Sequence, residues 1–276
     1  MIICTLTSEK FLSGTRTLLY SLVRNGSLSH NTRLLVLYRD GTSFPDSYCS
    51  SIRNMVSGFD LEFLNVRTLG GKVLAPLHHK VGTHAEALDK LLVFNFPTTE
   101  KICFLGSDML CLNPIDDVYS MPHFSSAPDY GGLELNKEKG YTMFNSDFMV
   151  LRPSKDLFLH IKSFAENSKV KFELSDQGVL NRYFYEFAPE SVNLVDSSWN
   201  MLKRVKHYNP SKFDLKNTKF LQFVGRKPWT LTPKRILHQA LTNKKSIPIN
   251  YREIRDYAGL NTLWWKHYFL SRRYFV

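Results

Sequence analysis

The sequence predicts an α/β domain built on an open sheet flanked by helices. Three observations carry this: strand-length runs that are apolar almost throughout, apolar stripes of period 3.6 between them, and turn signals separating the two. Ile2 to Thr7 reads as the first strand. The following segment aligns Leu18, Leu19, Leu22 and Val23 on one helical stripe and stops at Gly26. Thr32-Arg-Leu-Leu-Val-Leu-Tyr38 has the composition of a strand covered on both faces, and Arg39-Asp40-Gly41 turns the chain. A helix over 45–58 and a strand over 61–66 complete a second unit. Thr83 to Phe94 is predicted helical, with Leu88, Leu91, Leu92 and Phe94 apolar, and Lys101-Ile-Cys-Phe-Leu105 is the next buried strand. Phe144 to Leu151 and Ser175 to Tyr185 add a further strand and helix.

Composition bounds the function. At 276 residues and 43% hydrophobic, the chain buries a sizeable core and is neither disordered nor a disulfide-held miniprotein. Cys4, Cys49, Cys103 and Cys111 are scattered without zinc-ligand spacing, which predicts reduced structural thiols. Met1-Ile-Ile-Cys-Thr-Leu-Thr7 lacks a basic n-region, and no apolar stretch nears the roughly 20 residues that span a bilayer. A cytoplasmic protein is expected. Charge is uneven: residues 201–276 hold 17 Lys+Arg against 3 Asp+Glu, a net +14, whereas the first 200 hold 19 against 22, a net −3. Such a basic quarter meets phosphate or anionic lipid, or is simply a solvated face.

A ligand site in an open sheet lies beyond the carboxyl ends of its strands. Four polar blocks compete for that place. Gly106-Ser107-Asp108 follows a buried strand. Phe144-Asn145-Ser146-Asp147-Phe148 opens another. Ser175-Asp176-Gln177-Gly178 begins a helix, and Gln222-Phe223-Val224-Gly225-Arg226-Lys227-Pro228-Trp229 lies in the basic quarter. Each has an ordinary reading. Asp108 serves as a turn former, Ser175 as a helix cap, and Arg226 and Lys227 as surface charges.

Together, in order and spacing, the blocks resemble glycosyltransferase family 8, the glycogenin-like retaining transferases with a GT-A fold. Thr5-Leu6-Thr7-Ser8, Lys90-Leu91, Ala127-Pro128-Asp129 and Trp199-Asn200 extend the match from residue 2 to about residue 230. The resemblance implies an open mixed sheet with a Rossmann-like, nucleotide-binding N-terminal half. The domain would cover residues 1–230, with 231–276 a basic, aromatic extension on or beside it. It implies transfer of a hexose from a nucleotide sugar, UDP-linked in most of the family, to a glycan or glycolipid acceptor with retention at the anomeric carbon. Asp176 and Gln177 match the catalytic positions. Leu6, Ser8, Lys90, Asp108, Asn145, Ser146, Gly225 and Lys227 match donor-binding ones, with Lys90, Lys227 and Arg226 facing phosphate and Phe11 near the base. The alternative is a non-catalytic relative that binds nucleotide sugar or glycan. No nucleic-acid motif is present.

The family's metal site is an Asp-x-Asp and a His, holding Mn²⁺ or Mg²⁺ against the diphosphate. Here Gly106 replaces the first Asp and Gln222 the His, leaving Asp108. The expected site is therefore Asp108 with Gln222, and weak. Asp147 stands where many members have Gly. Finally, Trp264 to Val276 carries six aromatics, three basic residues and no acid. That composition suits weak peripheral contact with a membrane or a last helix packed beneath the domain.

Overall fold

The computed structural model describes residues 1–39, 41–81, 85–129, 142–231 and 257–274. Most of the extension from 231 onward, and Thr83 and His84 of the helix expected over 83–94, lie outside the described residues.

Strand β1 (Ile2–Thr7) leads through a 3-10 turn into helix α1 (Leu12–Asn25), then β2 (Arg33–Tyr38), α2 (Asp46–Met55) and β3 (Asp60–Asn65). This is the β-α-β-α-β rhythm read from the sequence. Strand β4 (Ile102–Gly106) follows, then β5 (Met109–Cys111), β6 (Ser125–Pro128) and β7 (Phe144–Leu151). Helices α3 (Lys155–Asn167) and α4 (Ser175–Phe187) precede β8 (Asn193–Leu194), β9 (Met201–Leu202), the single-turn α5 (Val205–Tyr208), β10 (Phe220–Gln222) and α6 (Ala258–Ser271). The main sheet has the order β3-β2-β1-β4-β7-β6-β8. Its first four strands are parallel, and β7 runs antiparallel to both β4 and β6. Strands β5, β10 and β9 form a second, small sheet.

Alternation along the buried strands fills two cores. Cys4, Leu35, Phe104 and Met149 face one side of the sheet, with α3 and α4; Ile3, Leu34, Cys103 and Val150 face the other, with α1 and α2. Adjacent residues of one strand thus belong to opposite cores, which is why these strands read as unbroken apolar runs. All four cysteines are free, and burial pushes the Cys4 and Cys103 thiols up, leaving them inert.

Two expectations change. The segment expected as an α-helix from Thr83 forms 3-10 turns over Ala85–Asn95, in which every residue from Leu88 to Phe94 is buried. With no solvent-facing stripe, it lacks the amphipathic pattern that stabilises a surface α-helix. The second change concerns the aromatic tail. Trp264 is fully buried in a third core with Leu110, Leu202, Leu221 and Phe223, and stacks on Tyr268 with ring centroids 5.3 Å apart. The buried Arg16 of α1 donates to the Ser271 carbonyl at 3.3 Å, tying α6 to the body. The packed-helix alternative therefore accounts for Trp264, while Phe269 and Tyr274 stay exposed.

Candidate functional site

The chain places β2 and β3 on one side of β1, then returns β4 to the other. Leu6 near the end of β1 lies opposite Gly106 at the end of β4. That reversal of strand order opens a crevice, where ligands bind in open sheets. Strand β7 brings Asn145, Ser146 and Asp147 to the same edge. The small sheet brings Gln222, opposite Met109, and hydrogen-bonds Phe223 N to the Asp108 carbonyl at 3.0 Å.

Polar side chains from seven separate stretches meet there. The Lys90 Nζ donates to Asp147 Oδ1 at 2.7 Å and Ser146 Oγ at 3.0 Å, and pairs with Asp176 Oδ2 at 2.8 Å. Ser146 Oγ also donates to Asp176 Oδ2 at 2.7 Å. Gln177 accepts from Ser146 N at 3.3 Å and donates to Asp129 Oδ2 at 2.7 Å; Arg204 Nη2 donates to Asp129 Oδ1 at 2.7 Å. Lys227 Nζ donates to Asp108 Oδ2 and to the Phe223 carbonyl, the latter at 2.9 Å. Gln222 Nε2 donates to Asp147 Oδ2 and approaches Asp108 Oδ1 at 3.5 Å.

The electrostatics follow from this pairing. Burial alone pushes the Lys90 ammonium down, but Asp147 and Asp176 outweigh it and hold its pKa above the ordinary lysine value. Burial pushes the Asp147 carboxyl up, yet Lys90, Lys227 and the Gln222 hydrogen bond bring it below the usual carboxylate range. Lys90 is thus spent on carboxylates. Lys227 sits at the rim beside Phe11, whose ring meets Trp229 edge-on at 5.7 Å.

Helix α4 carries Asp176 and Gln177 by an unusual entry. Ser175 was expected to cap it; instead Leu174 is the cap residue at φ 62, with no side-chain hydrogen bond of its own, and Ser175 follows at φ 51. The chain doubles back so tightly that a Cβ at Gly178 would meet the Glu173 carbonyl at 1.8 Å. Gly178 is what lets the first turn of α4 close against its own entry. The remaining candidates are arranged around this network. Asn145 Oδ1 accepts from Asp147 N at 2.9 Å, Gly225 turns its loop at φ 72, and Leu6 and Ser8 lie at the end of β1. Asp129 and Arg204 were not among the sequence candidates. The Ala-Pro-Asp block was the available signal for Asp129; Arg204 had none.

Among the described residues no group of three or more His, Cys, Asp or Glu converges as a metal cluster. The fit to a hard divalent cation rests on mixed oxygen donors. Asp108 and Asp147 both reach one amide, and the Gln222 Oε1 atom is buried without a hydrogen-bond partner. Two carboxylates and an amide oxygen are the donor chemistry Mn²⁺ or Mg²⁺ accepts.

No family model matches the chain. It is 30% identical over 164 residues to glycogenin-1 of Mus musculus, covering 52% of this chain and 42% of that protein. It is 27% identical over 225 residues to the putative UDP-glucuronate:xylan alpha-glucuronosyltransferase 5 of Arabidopsis thaliana, covering 80% and 35%. The chain therefore spans less than half the length of these curated relatives. Among solved structures, the glycosyltransferase GlyE of Streptococcus pneumoniae superposes with a TM-score of 0.66 at 16% identity, over 97% of this chain and 59% of that one. The galactosyltransferase LgtC, solved with donor and acceptor sugar analogs, superposes with a TM-score of 0.60 at 15% identity, over 91% of this chain and 100% of that one. In sequence the chain is thus similar to glycogenins and xylan glucuronosyltransferases, which supports a glycogenin-like glycosyltransferase, and it is built on the GT-A fold of its structural neighbours.

Proposed function

We propose that the chain is a retaining glycosyltransferase that moves a hexose from a UDP-sugar to a glycan or glycolipid acceptor, acting in the cytoplasm. The observation that carries this reading is the fixing of Asp176 and Gln177 at the strand ends. Asp176, 3% exposed, is held by the Ser146 hydroxyl and the Lys90 ammonium, and Gln177 is tied to Asp129. A carboxylate so oriented stabilises the positive charge that develops at an anomeric carbon without reorganising during the reaction. Asn145 and Ser146 offer directional groups to sugar hydroxyls. Leu6 and Ser8 line the nucleotide end of the crevice, and Gly225 gives backbone access to the phosphates.

The departing diphosphate needs cations. Lys227, now on Asp108 at the rim, reaches phosphate by turning its flexible stem, and Arg226 beside it binds phosphate bidentately. Lys90 acts through Asp176 and Asp147, as a positioning residue. A divalent cation, where bound, supplies the remaining countercharge. Residues 1–230 form the transferase domain in this reading. Exposed Phe269 and Tyr274, next to Arg272 and Arg273, are the part of the 231–276 extension that would touch an anionic membrane.

The test is a panel of nucleotide sugars with and without Mn²⁺, read first by thermal shift. A donor at 100 times its Kd adds about 2.7 kcal/mol. Transfer is then followed by NMR of the anomeric proton, which reports retention. The Asp176→Asn protein should bind UDP and fail to transfer. Turnover equal to wild type in that variant, or no response to any nucleotide sugar, overturns the reading.

A further inference from the structure

Gly106 and Asp147 compete for one space from two strands. β4 and β7 run antiparallel with Leu105 opposite Phe148, so the next step along brings Gly106 beside Asp147. A Cβ on Gly106 would lie 2.8 Å from both Cβ and Cγ of Asp147 and 3.0 Å from its Oδ1. A rotamer change moves Cγ and Oδ1, but the Asp147 Cβ is fixed by the backbone and its contact is not cleared that way. A side chain at 106 and the carboxylate at 147 are therefore mutually exclusive. The resemblance assigns Asp to the first position and often Gly to the second; here the two are exchanged.

We propose that the carboxylate absent from position 106 is supplied across the sheet by Asp147, and that Asp108, Asp147 and the amide oxygen of Gln222 form a divalent-cation site. A single amide touches an oxygen of each carboxylate, Asp147 Oδ2 directly and Asp108 Oδ1 at 3.5 Å. Both carboxylates thus converge on Gln222. That residue is 2% exposed and its Oε1 has no hydrogen-bond partner, although a buried acceptor normally has one. Half a turn of the amide exchanges Nε2 for Oε1 and presents that oxygen to the space between Asp108 and Asp147. The third donor is already buried at the site, with an unmet demand.

Charge balance points the same way. Asp108, Asp147 and Asp176 stand against Lys90 and Lys227, so the linked cluster carries one net negative formal charge. Such a cluster repels a diphosphate. A divalent cation reverses its sign and frees Lys227 from Asp108 to face phosphate. The role of the cation rests on the transferase reading above; its binding does not.

The experiment titrates the full-length chain with MnCl₂, alone and with UDP, reading bound Mn²⁺ by electron paramagnetic resonance and folding by circular dichroism. Wild type should bind Mn²⁺, and Asp147→Asn, which keeps the shape of the side chain, should weaken binding by about tenfold or more. Gly106→Asp alone should not tighten binding, because Asp147 fills the space. The double change Gly106→Asp with Asp147→Gly, carrying the carboxylate back to β4, should restore it. Folded Asp147→Asn protein that binds Mn²⁺ like wild type overturns the proposal. So does wild type that binds none at millimolar concentration with or without UDP. Mn²⁺ binding that depends on Asp147, with no transfer to any acceptor, would support the site and overturn the transferase reading; transfer by a protein that binds no Mn²⁺ would do the reverse.

Discussion

Replacing Lys90 by Met tests how the site is held together. The substitution keeps most of the aliphatic stem and removes the ammonium, so it isolates charge from packing. Two ion pairs vanish, at 2.7 Å to Asp147 and 2.8 Å to Asp176. They are not equal. The side chains of Lys90 and Asp176 are 9% and 5% exposed, whereas that of Asp147 is 27% exposed and retains Gln222 as a donor. Most of the cost therefore comes from Asp176, left with a carboxylate charge and the Ser146 hydroxyl. Removing one partner of a fully buried pair costs about 3–5 kcal/mol. Water reaching Asp147 lowers that, and we expect about 3 kcal/mol by urea unfolding at pH 7. Because the penalty is an uncompensated charge, Lys90→Met with Asp176→Asn should recover about 1–2 kcal/mol relative to the sum of the single changes, within the usual range for groups in direct contact. A loss below about 1 kcal/mol, or strict additivity, would refute the claim that Lys90 holds Asp176 in place.

Three further outcomes follow from the structure. Trp264→Ala should destabilise the protein by about 3–5 kcal/mol, as for other buried Trp truncations, because the residue is fully enclosed in the third core; chemical denaturation measures it, and a change within experimental error would show the helix is not part of that core. Gly178→Ala should disturb the entry to α4 by more than about 1 kcal/mol, since the new methyl meets the Glu173 carbonyl, a backbone atom; an unchanged melting temperature together with unchanged UDP binding would contradict it. Stability should also fall with acid before the carboxylates titrate. Burial lowers the pKa of His123, whose Nδ1 accepts from Arg152 N at 2.9 Å, and of His267. The unfolded chain then binds protons first, so the stability held above about pH 6.5 is lost as pH drops through the folded values. His123→Gln should flatten that slope in unfolding measurements from pH 7.5 to 5.5, and an identical slope would argue against it.

Much of the fold was legible because it depends on local pattern. Strands β1, β2, β4 and β7 announce themselves as apolar runs bounded by turn signals, and the stripe of Leu18, Leu19 and Leu22 determines which face of α1 is buried. The segment before β4 was harder. Its apolar spacing suits an α-helix, but every residue from Leu88 to Phe94 is enclosed, so no polar face selects the α-helical repeat. Ser175 looked like a cap because Ser commonly caps helices, and nothing local announces that Leu174 and Ser175 take left-handed backbone.

The sequence by itself determined the α/β class, the family resemblance and the blocks that form the site, since those reside in neighbouring residues and their spacing. Tertiary structure decided which of those blocks touch. That Gly106 and Asp147 contest one volume depends on β7 lying antiparallel beside β4 in one register, and a shift by one residue would turn Asp147 to the other face of the sheet. That Lys90 faces Asp147 and Asp176, and that Trp264 closes a core with β5 and β10, are likewise consequences of strand order. Periodicity is a property of a segment; adjacency between segments is chosen by the chain as a whole, through the apolar surface it can bury and the charges it must then pair.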